Sequence, residues 1–146
     1  MLDIDAWLAE EVETAFAEQE SVAFVTGNGI GRPKGFLSYD TVANAAWVPS
    51  KLGTIATGAA GAFPSASPGD VLFDLIYGLR AAYRQNAGFV MNRRTQSAIR
   101  KFKDAEGGYL WQPPVQAGGR ASLMTFPLVE AEDMPTIAAN SLSIAF

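Results

Sequence analysis

Apolar residues recur at helical spacing near the start of the chain and predict one long helix over residues 3–25. The apolar stripe of this helix consists of Ile4, Leu8, Val12, Ala15 and Val22. Carboxylates occupy much of the remaining helix surface, and acids near its start suit the helix dipole. Gly27 is the predicted stop, because glycine readily adopts the backbone conformation that ends a helix.

The next segment, TGNGIGRPKGF (26–36), is rich in glycine and predicts an ordered turn. A phosphate-binding loop is the alternative, because glycines let a backbone approach a phosphate group. However, no helix pattern follows the segment, Pro33 interrupts it, and Lys34 is not followed by serine or threonine. The structural turn is therefore the favoured interpretation.

Short strands are predicted in two β-prone pieces, 44–49 and 53–57. The stretch 58–69 is small and rich in glycine, proline and serine, which predicts an exposed loop. A loop of this length serves either as an interaction element or as a simple connector, and the sequence leaves both open.

A second helix is predicted from residue 68 to about residue 83. Ser67 is its expected N-cap, Pro68 occupies the first helical position, and Asp70 completes an S-x-x-D capping box. The residues expected to face the core are Leu72, Leu75, Ile76, Leu79 and Tyr83. A short buried strand is predicted over 87–92.

A third helix, 93–104, is expected to begin after Asn92 as its N-cap. One side of its wheel carries Thr95, Ala98, Ile99 and Phe102. The opposite side carries Arg93, Ser97, Arg100 and Asp104. Arg94 and Lys101 lie on one flank, and Lys103 lies on the other. The pattern predicts an amphipathic surface helix with a solvated basic face.

A turn at Gly107 and Gly108 is predicted to lead into a strand over 109–112. Further strands are predicted over 126–131 and 142–146, with Pro127 at an edge position or a strand start. The order of elements predicts an α+β fold: a long N-terminal helix and a small mixed β-sheet flanked by two helices.

Composition narrows the possible functions. The chain has 146 residues, 49% of them hydrophobic and 18% charged, which is typical of a globular domain. It contains no cysteine and no histidine, so disulfides and thiolate metal sites are excluded and the commonest general base is missing. An enzyme is therefore disfavoured, and no catalytic residue, metal site or cofactor is predicted. No signal peptide or membrane span is predicted.

Charge is segregated along a chain whose net charge is −4. Residues 1–31 contain acids and no base, whereas residues 75–103 contain bases and no acid. This asymmetry indicates either a nucleic-acid face or self-complementarity between copies of the chain. The pI of about 4.7 argues against a general nucleic-acid binder.

The segment YRQNAGFVMNRRTQSAIRKFKDAEGGYLWQP (83–113) resembles the central region of the major capsid proteins of tailed bacteriophages with the HK97-type fold. The shared pattern is a Tyr-Arg helix end, a V-M-N strand, a K-D-x-x-G-x-Y-L turn and a Gln-Pro pair. The upstream segment FVTGNGIGRPKGFL and the downstream segment FPLVEAEDMP resemble further blocks of this family in the same order. At Thr125 the family usually has a glycine.

This resemblance implies a structural shell protein. Residues 1–26 correspond to the end of the spine helix of the peripheral domain, and residues 27–146 correspond to the axial domain. The N-terminal arm, the E-loop and the rest of the peripheral domain find no counterpart, so a piece of a longer capsid protein is expected.

The implied function is that of a subunit of an icosahedral phage, prophage or gene-transfer-agent capsid. Copies would self-assemble into pentameric or hexameric capsomers. The capsid would enclose double-stranded DNA, which the chain would contact only indirectly. No membrane partner is expected. The location would be the virion capsid, and the host cytoplasm during assembly. The candidate subunit-interface residues are Glu10, Glu13, Arg93, Arg94, Arg100, Lys103, Asp104 and Trp111.

Two other functions remain as alternatives. The same fold could form an encapsulin-type nanocompartment shell that packs protein cargo. Less favoured is a DNA-binding domain that uses the 93–103 helix, because the chain is acidic and lacks base-reading side chains around a dimer element.

Overall fold

The computed structural model describes residues 4–104, 106–111 and 121–146. The described residues form two compact units that divide between Asp40 and Thr41. The assignment of residues 1–26 and 27–146 to two capsid domains is a different division, and it stays a prediction.

The first unit is built on helix α1 (Ile4–Thr26), which confirms the predicted long helix. Asp3, part of the predicted range, lies outside the described residues. The helix is exposed along most of its length, and only Ala23 and Val25, near its end, are buried. It stops at the predicted glycine, where the Gly27 amide donates to the Ala23 carbonyl at 2.9 Å.

The glycine-rich segment after α1 folds back on the helix end. Asn28 and Lys34 form an antiparallel bridge, and the Gly35 amide donates to the Gly27 carbonyl at 2.9 Å. A Cβ atom on Gly35 would lie 2.5 Å from the backbone nitrogens of Thr26 and Gly27, so a side chain cannot fit there. The glycines thus permit close backbone packing, as the structural interpretation of this turn predicts.

The second unit begins with a two-stranded parallel sheet, β1 (Thr41–Ala43) and β2 (Leu52–Thr54). β2 overlaps the predicted strand 53–57. The strand predicted at 44–49 is wrong, because Asn44–Ala46 form a 3₁₀ turn and the strand lies just before it. The connection is held by the Trp47 indole, whose Nε1 donates to the Lys51 carbonyl at 2.9 Å.

The single helix predicted to reach residue 83 is wrong in its extent. It is two helices, α2 (Asp70–Gly78) and α3 (Ala81–Arg84), because Leu79 and Arg80 have extended backbone. A Cβ on Gly78 would lie 2.9 Å from Asn44 Nδ2, so packing against another segment meets the helix where it ends.

Both ends of the predicted helix differ for local reasons. The N-cap is Gly69 rather than Ser67, which has a positive φ of 48° and offers its carbonyl, not its hydroxyl, to the Asp70 amide. Tyr83, predicted to face the core, is 67% exposed, because the break before α3 changes the direction of the helix surface.

Four strands form a mixed sheet in the order β4-β5-β3-β6. The central strand β3 (Phe89–Met91) pairs in parallel with β5 (Phe126–Glu130) and antiparallel with β6 (Ile144–Ala145). These three strands confirm the predicted ones, with shorter ranges. β4 (Ser122–Leu123), antiparallel to β5, was not predicted. Pro127 lies near the start of β5, one residue before Leu128, where the pairing with β3 begins.

The core lies on one face of this sheet. Successive side chains of a strand alternate between faces, so Phe89 and Met91 point the same way. Both are buried in one cluster with Leu72 and Ile76 of α2 and with Ile99 of the next helix. Two helices and a mixed sheet therefore share one core, which confirms the α+β class.

Three aromatic rings pack against one another beside the core. The ring centroids of Phe89 and Phe146 lie 4.7 Å apart, and those of Phe126 and Phe146 lie 5.0 Å apart, nearly perpendicular. Edge-on packing of this kind is favourable beyond the burial of area. Within the described ranges, no helix has both the length and the apolar character needed to cross a bilayer.

Candidate functional site

The basic face predicted from the sequence lies on helix α4 (Arg93–Arg100), whose start is fixed by Asn92. Asn92 Oδ1 accepts a hydrogen bond from the Arg94 amide at 2.9 Å, which confirms the predicted N-cap. Asn92 Nδ2 donates to the Glu132 carbonyl at 2.8 Å. This buried amide therefore ties the start of α4 to the segment that follows β5.

The two sides of α4 are as the helical wheel predicts. Thr95 and Ile99 are buried, and Ala98 and Phe102 are half-buried. The opposite side is exposed and consists of Arg93, Ser97, Arg100 and Asp104. The predicted end at 104 is wrong. The helix stops at Arg100 because the Phe102 amide donates to the Ile99 carbonyl in a tighter final turn.

Two of the exposed cations are engaged within the chain. Arg93 Nε lies 3.3 Å from Glu132 Oε1 in an exposed ion pair. With its amide nitrogen turned toward β5, Gln96 donates to Glu130 Oε2 at 2.8 Å and accepts from Arg100 Nη2 at 3.2 Å. Glu130 and Glu132, at the end of β5 and just after it, therefore offset part of the charge of the basic face.

Aromatic rings contact two cations, Arg100 and Lys103. The Arg100 guanidinium lies 4.5 Å from the Trp111 ring centroid, and Lys103 Nζ lies 5.1 Å from that of Tyr109. Trp111 is half-buried and packs against the core cluster. Cation–π contacts of this kind favour one position of a long, flexible side chain.

Asp104 has a structural contact in the turn that follows α4. Its Oδ1 accepts from the Gly108 amide at 2.7 Å and from the Glu106 amide at 3.0 Å. The predicted glycine turn is confirmed, with Gly107 at a φ of 84°. The strand predicted over 109–112 is wrong. Tyr109 makes only a single bridge to Lys103, and residue 112 lies outside the described residues.

Arg94 and Lys101 are the uncommitted cations of α4 and its C-cap. Both side chains are exposed, and within the described ranges neither makes an ion pair, a hydrogen bond or a ring contact. Their charges are therefore available to a partner.

The acidic candidates Glu10 and Glu13 lie on α1, in the first compact unit. Both are exposed, and their carboxylates have no partner among the residues that the structure describes.

Sequence reasoning did not assign Gln96, Tyr109, Glu130 and Glu132 to the site. The one sequence signal for the two glutamates is their alternation, with Glu130 at the end of β5 and Glu132 two residues later. Their contacts with α4 depend on the parallel pairing of β3 with β5, which brings distant segments together.

Among the described residues, α4 and its surroundings present cations held in fixed positions, two cations without an intrachain partner, and flanking aromatic rings. Such an arrangement suits a binding surface. No curated protein matches the chain significantly. The model of the phage capsid family matches residues 1–146.

Two similar solved structures are described as the capsid of an empty GTA particle and the capsid of a native GTA particle, both computed with C5 symmetry. The first is 49% identical, covers 97% of this chain and 48% of that chain, and has a TM-score of 0.89. The second is also 49% identical, covers 98% of this chain and 53% of that chain, and has a TM-score of 0.91. This chain therefore spans about half the length of the solved chains it matches.

Proposed function

Because this chain belongs to the phage capsid family, we propose that it is a structural subunit of an icosahedral capsid that encloses DNA. The observation that carries this proposal is the likeness to GTA capsid chains: 49% identity over 97% of this chain, with a TM-score of 0.89. At this identity nearly the whole chain shares its backbone course with those capsid chains.

Self-association follows from the same proposal. A closed ring of identical subunits needs head-to-tail contacts, in which one surface of each copy meets a different surface of the next. The proposed capsomers are pentamers or hexamers, and the basic face of α4 is one of their contact surfaces. Arg93, Arg100 and Lys103 support this role, because intrachain contacts already hold their side chains in place.

The proposed relation to DNA is enclosure rather than direct binding. The net charge of −4 repels a polyanion, and Glu130 and Glu132 face the cations of α4. The location is the capsid of the particle, reached after assembly in the host cytoplasm. The role is structural, and no catalysis is proposed.

The alternatives are less supported. Both solved neighbours described above are capsids of GTA particles, which favours a particle capsid over an encapsulin-type compartment for protein cargo. A DNA-binding domain built on α4 would need free cations along the helix, and two of its three arginines are engaged with other side chains.

Size-exclusion chromatography with light scattering tests the proposal directly. The chain has a mass of 15.5 kDa, so a pentamer or hexamer is well separated from a monomer. We expect a concentration-dependent ring-sized species. A strict monomer at every concentration would overturn the claim that this chain carries capsomer contacts. Binding to duplex DNA that falls steeply with salt, without any oligomer, would favour the DNA-binding alternative.

A further inference from the structure

The outer side of α2 carries an alternating row of acids and aromatic rings. Asp70, Phe73, Asp74 and Tyr77 recur at helical spacing, and all four are exposed. Phe73 is 50% exposed and Tyr77 is 70% exposed, which is a large apolar surface for one short helix. We call these four residues the α2 ridge.

The two carboxylates of the α2 ridge have no side-chain partner among the described residues. Within the described ranges, neither Asp70 nor Asp74 makes a side-chain hydrogen bond or an ion pair. α2 contains no basic residue, and α4 contains no acidic one. α2 itself therefore carries only acids and α4 only bases, and the nearby Arg84 of α3 is engaged with the Tyr77 ring, at 4.8 Å from its centroid.

α2 and α4 lie in the same compact unit. Leu72 and Ile76, on the inner side of α2, share a buried cluster with Ile99 of α4. The α2 ridge and the basic face are thus held at a fixed angle by a common core. A ring closes only if its two contact surfaces have such a fixed relation.

We propose that the α2 ridge of one copy docks on the basic face of α4 in the next copy. This inference rests on the proposed capsid function and names the surface that the basic face meets. Asp70 and Asp74 would pair with Arg94 and Lys101, while Phe73, which lies between the two acids on the ridge, would be shielded from solvent by the contact.

Charge also selects which surfaces meet. A contact of α2 with α2 or of α4 with α4 would oppose charges of the same sign, whereas a contact of α2 with α4 pairs acids with bases. When each copy uses its ridge on one neighbour and its basic face on another, the contacts are head-to-tail and generate rings. The acids of α1 are the competing partner, but α1 lies in the other compact unit, outside the core that fixes α2 to α4.

The absence of cysteine from the natural chain allows a clean cross-linking test. One chain carries Phe73→Cys in the α2 ridge and a second carries Ser97→Cys in the basic face, so every charge is retained. The matched control replaces Phe73→Cys by Thr14→Cys, an exposed position on α1 beside Glu10 and Glu13. Tyr77→Cys is a second ridge variant, should Phe73→Cys fold poorly. A disulfide requires the two Cα atoms to approach within about 7 Å.

On mixing under mild oxidation, we expect about tenfold more ridge-to-α4 disulfide than α1-to-α4 disulfide, a ratio that corresponds to about 1.4 kcal/mol. Reversing the ridge charges (Asp70→Lys with Asp74→Lys) should abolish this excess. Adding Arg94→Glu and Lys101→Glu to the other chain should restore it.

Two results would overturn the inference: a ridge yield no higher than the α1 control, or a ridge yield that charge reversal leaves unchanged. A high α1 yield together with ring-sized oligomers would refute the docking role of the α2 ridge but keep the proposed capsid function. If neither disulfide forms and the chain stays monomeric, both the docking role and the proposed function are refuted.

Discussion

The Arg100 guanidinium stacks on the indole of Trp111, at 4.5 Å from the ring centroid, while Gln96 contacts the same guanidinium through Nη2. A long cationic side chain is thereby held on the surface before any partner arrives. Less rotamer freedom is then lost on binding, which favours a specific contact over a diffuse electrostatic one.

Charge reversal on the basic face should weaken self-association while leaving the fold intact. Complementary charged patches determine how two copies dock. We therefore expect the double variant Arg93→Glu with Arg100→Glu to raise the dissociation constant of the oligomer about tenfold or more. The exposed contacts that are lost contribute less than about 1 kcal/mol each to folding. Sedimentation velocity measures the first effect, and urea unfolding the second.

Arg32→Glu is the control for this double variant, because Arg32 is an exposed cation in the first compact unit, outside the basic face. It should leave the oligomer unchanged. An oligomer as stable in the double variant as in the natural chain would contradict the interface role of α4.

Asn92→Ala should destabilise the second compact unit. The change removes the N-cap of α4 and leaves the Glu132 carbonyl without its donor, at a combined cost of about 2 kcal/mol. Asn92→Ser should cost less, because a serine hydroxyl still caps the Arg94 amide although the bond to Glu132 is lost. Equal midpoints of urea unfolding for Asn92→Ala and the natural chain would refute the anchoring role.

Thr125→Gly should stabilise the protein. Thr125 has a φ of 75° in the tight turn between β4 and β5, a conformation that is costly for a β-branched residue. Relief of this strain, less the greater freedom of glycine in the unfolded chain, predicts a gain of about 0.5 to 1 kcal/mol. The control is Thr136→Gly at an exposed position without a positive φ, which should destabilise. A lower melting temperature for Thr125→Gly would contradict the prediction.

Thr95→Val should also raise stability. The Thr95 side chain is fully buried, and its hydroxyl has no hydrogen-bond partner in the described structure. Valine keeps the shape and removes the unpaired polar group, so we expect a gain of about 1 kcal/mol. Thr95→Ser, which keeps the hydroxyl and loses a buried methyl group, should lose about 1 kcal/mol. A higher melting temperature for Thr95→Ser than for Thr95→Val would contradict the assignment of the Thr95 hydroxyl as an unpaired buried group.

Local patterns were sufficient for part of the fold and the candidate site. The Asn92 cap, the two sides of α4 and the stop of α1 at Gly27 all depend on residues within a few positions of one another. Side-chain periodicity and capping chemistry act over that distance, so the sequence predicts them. The V-M-N strand and the glycine turn after α4 were predictable for the same reason.

Other features depend on segments that meet only in the folded chain. The break after Gly78 lies where the helix meets Asn44, which no pattern within the helix indicates. β4 is too short to show a strand period, and its pairing with β5 defines it. Tyr83 was assigned to the core on the assumption that the helix continued to it.

The sequence by itself determined that this chain has a basic, amphipathic helix with a capped start, because periodicity and capping are local properties. Only the tertiary structure decided which of its cations are free. The parallel pairing of β3 with β5 carries Glu130 and Glu132 to Gln96 and Arg93, and so leaves Arg94 and Lys101 uncommitted. Ion pairing depends on distance in space, and here that distance is set by segments about forty residues apart along the chain.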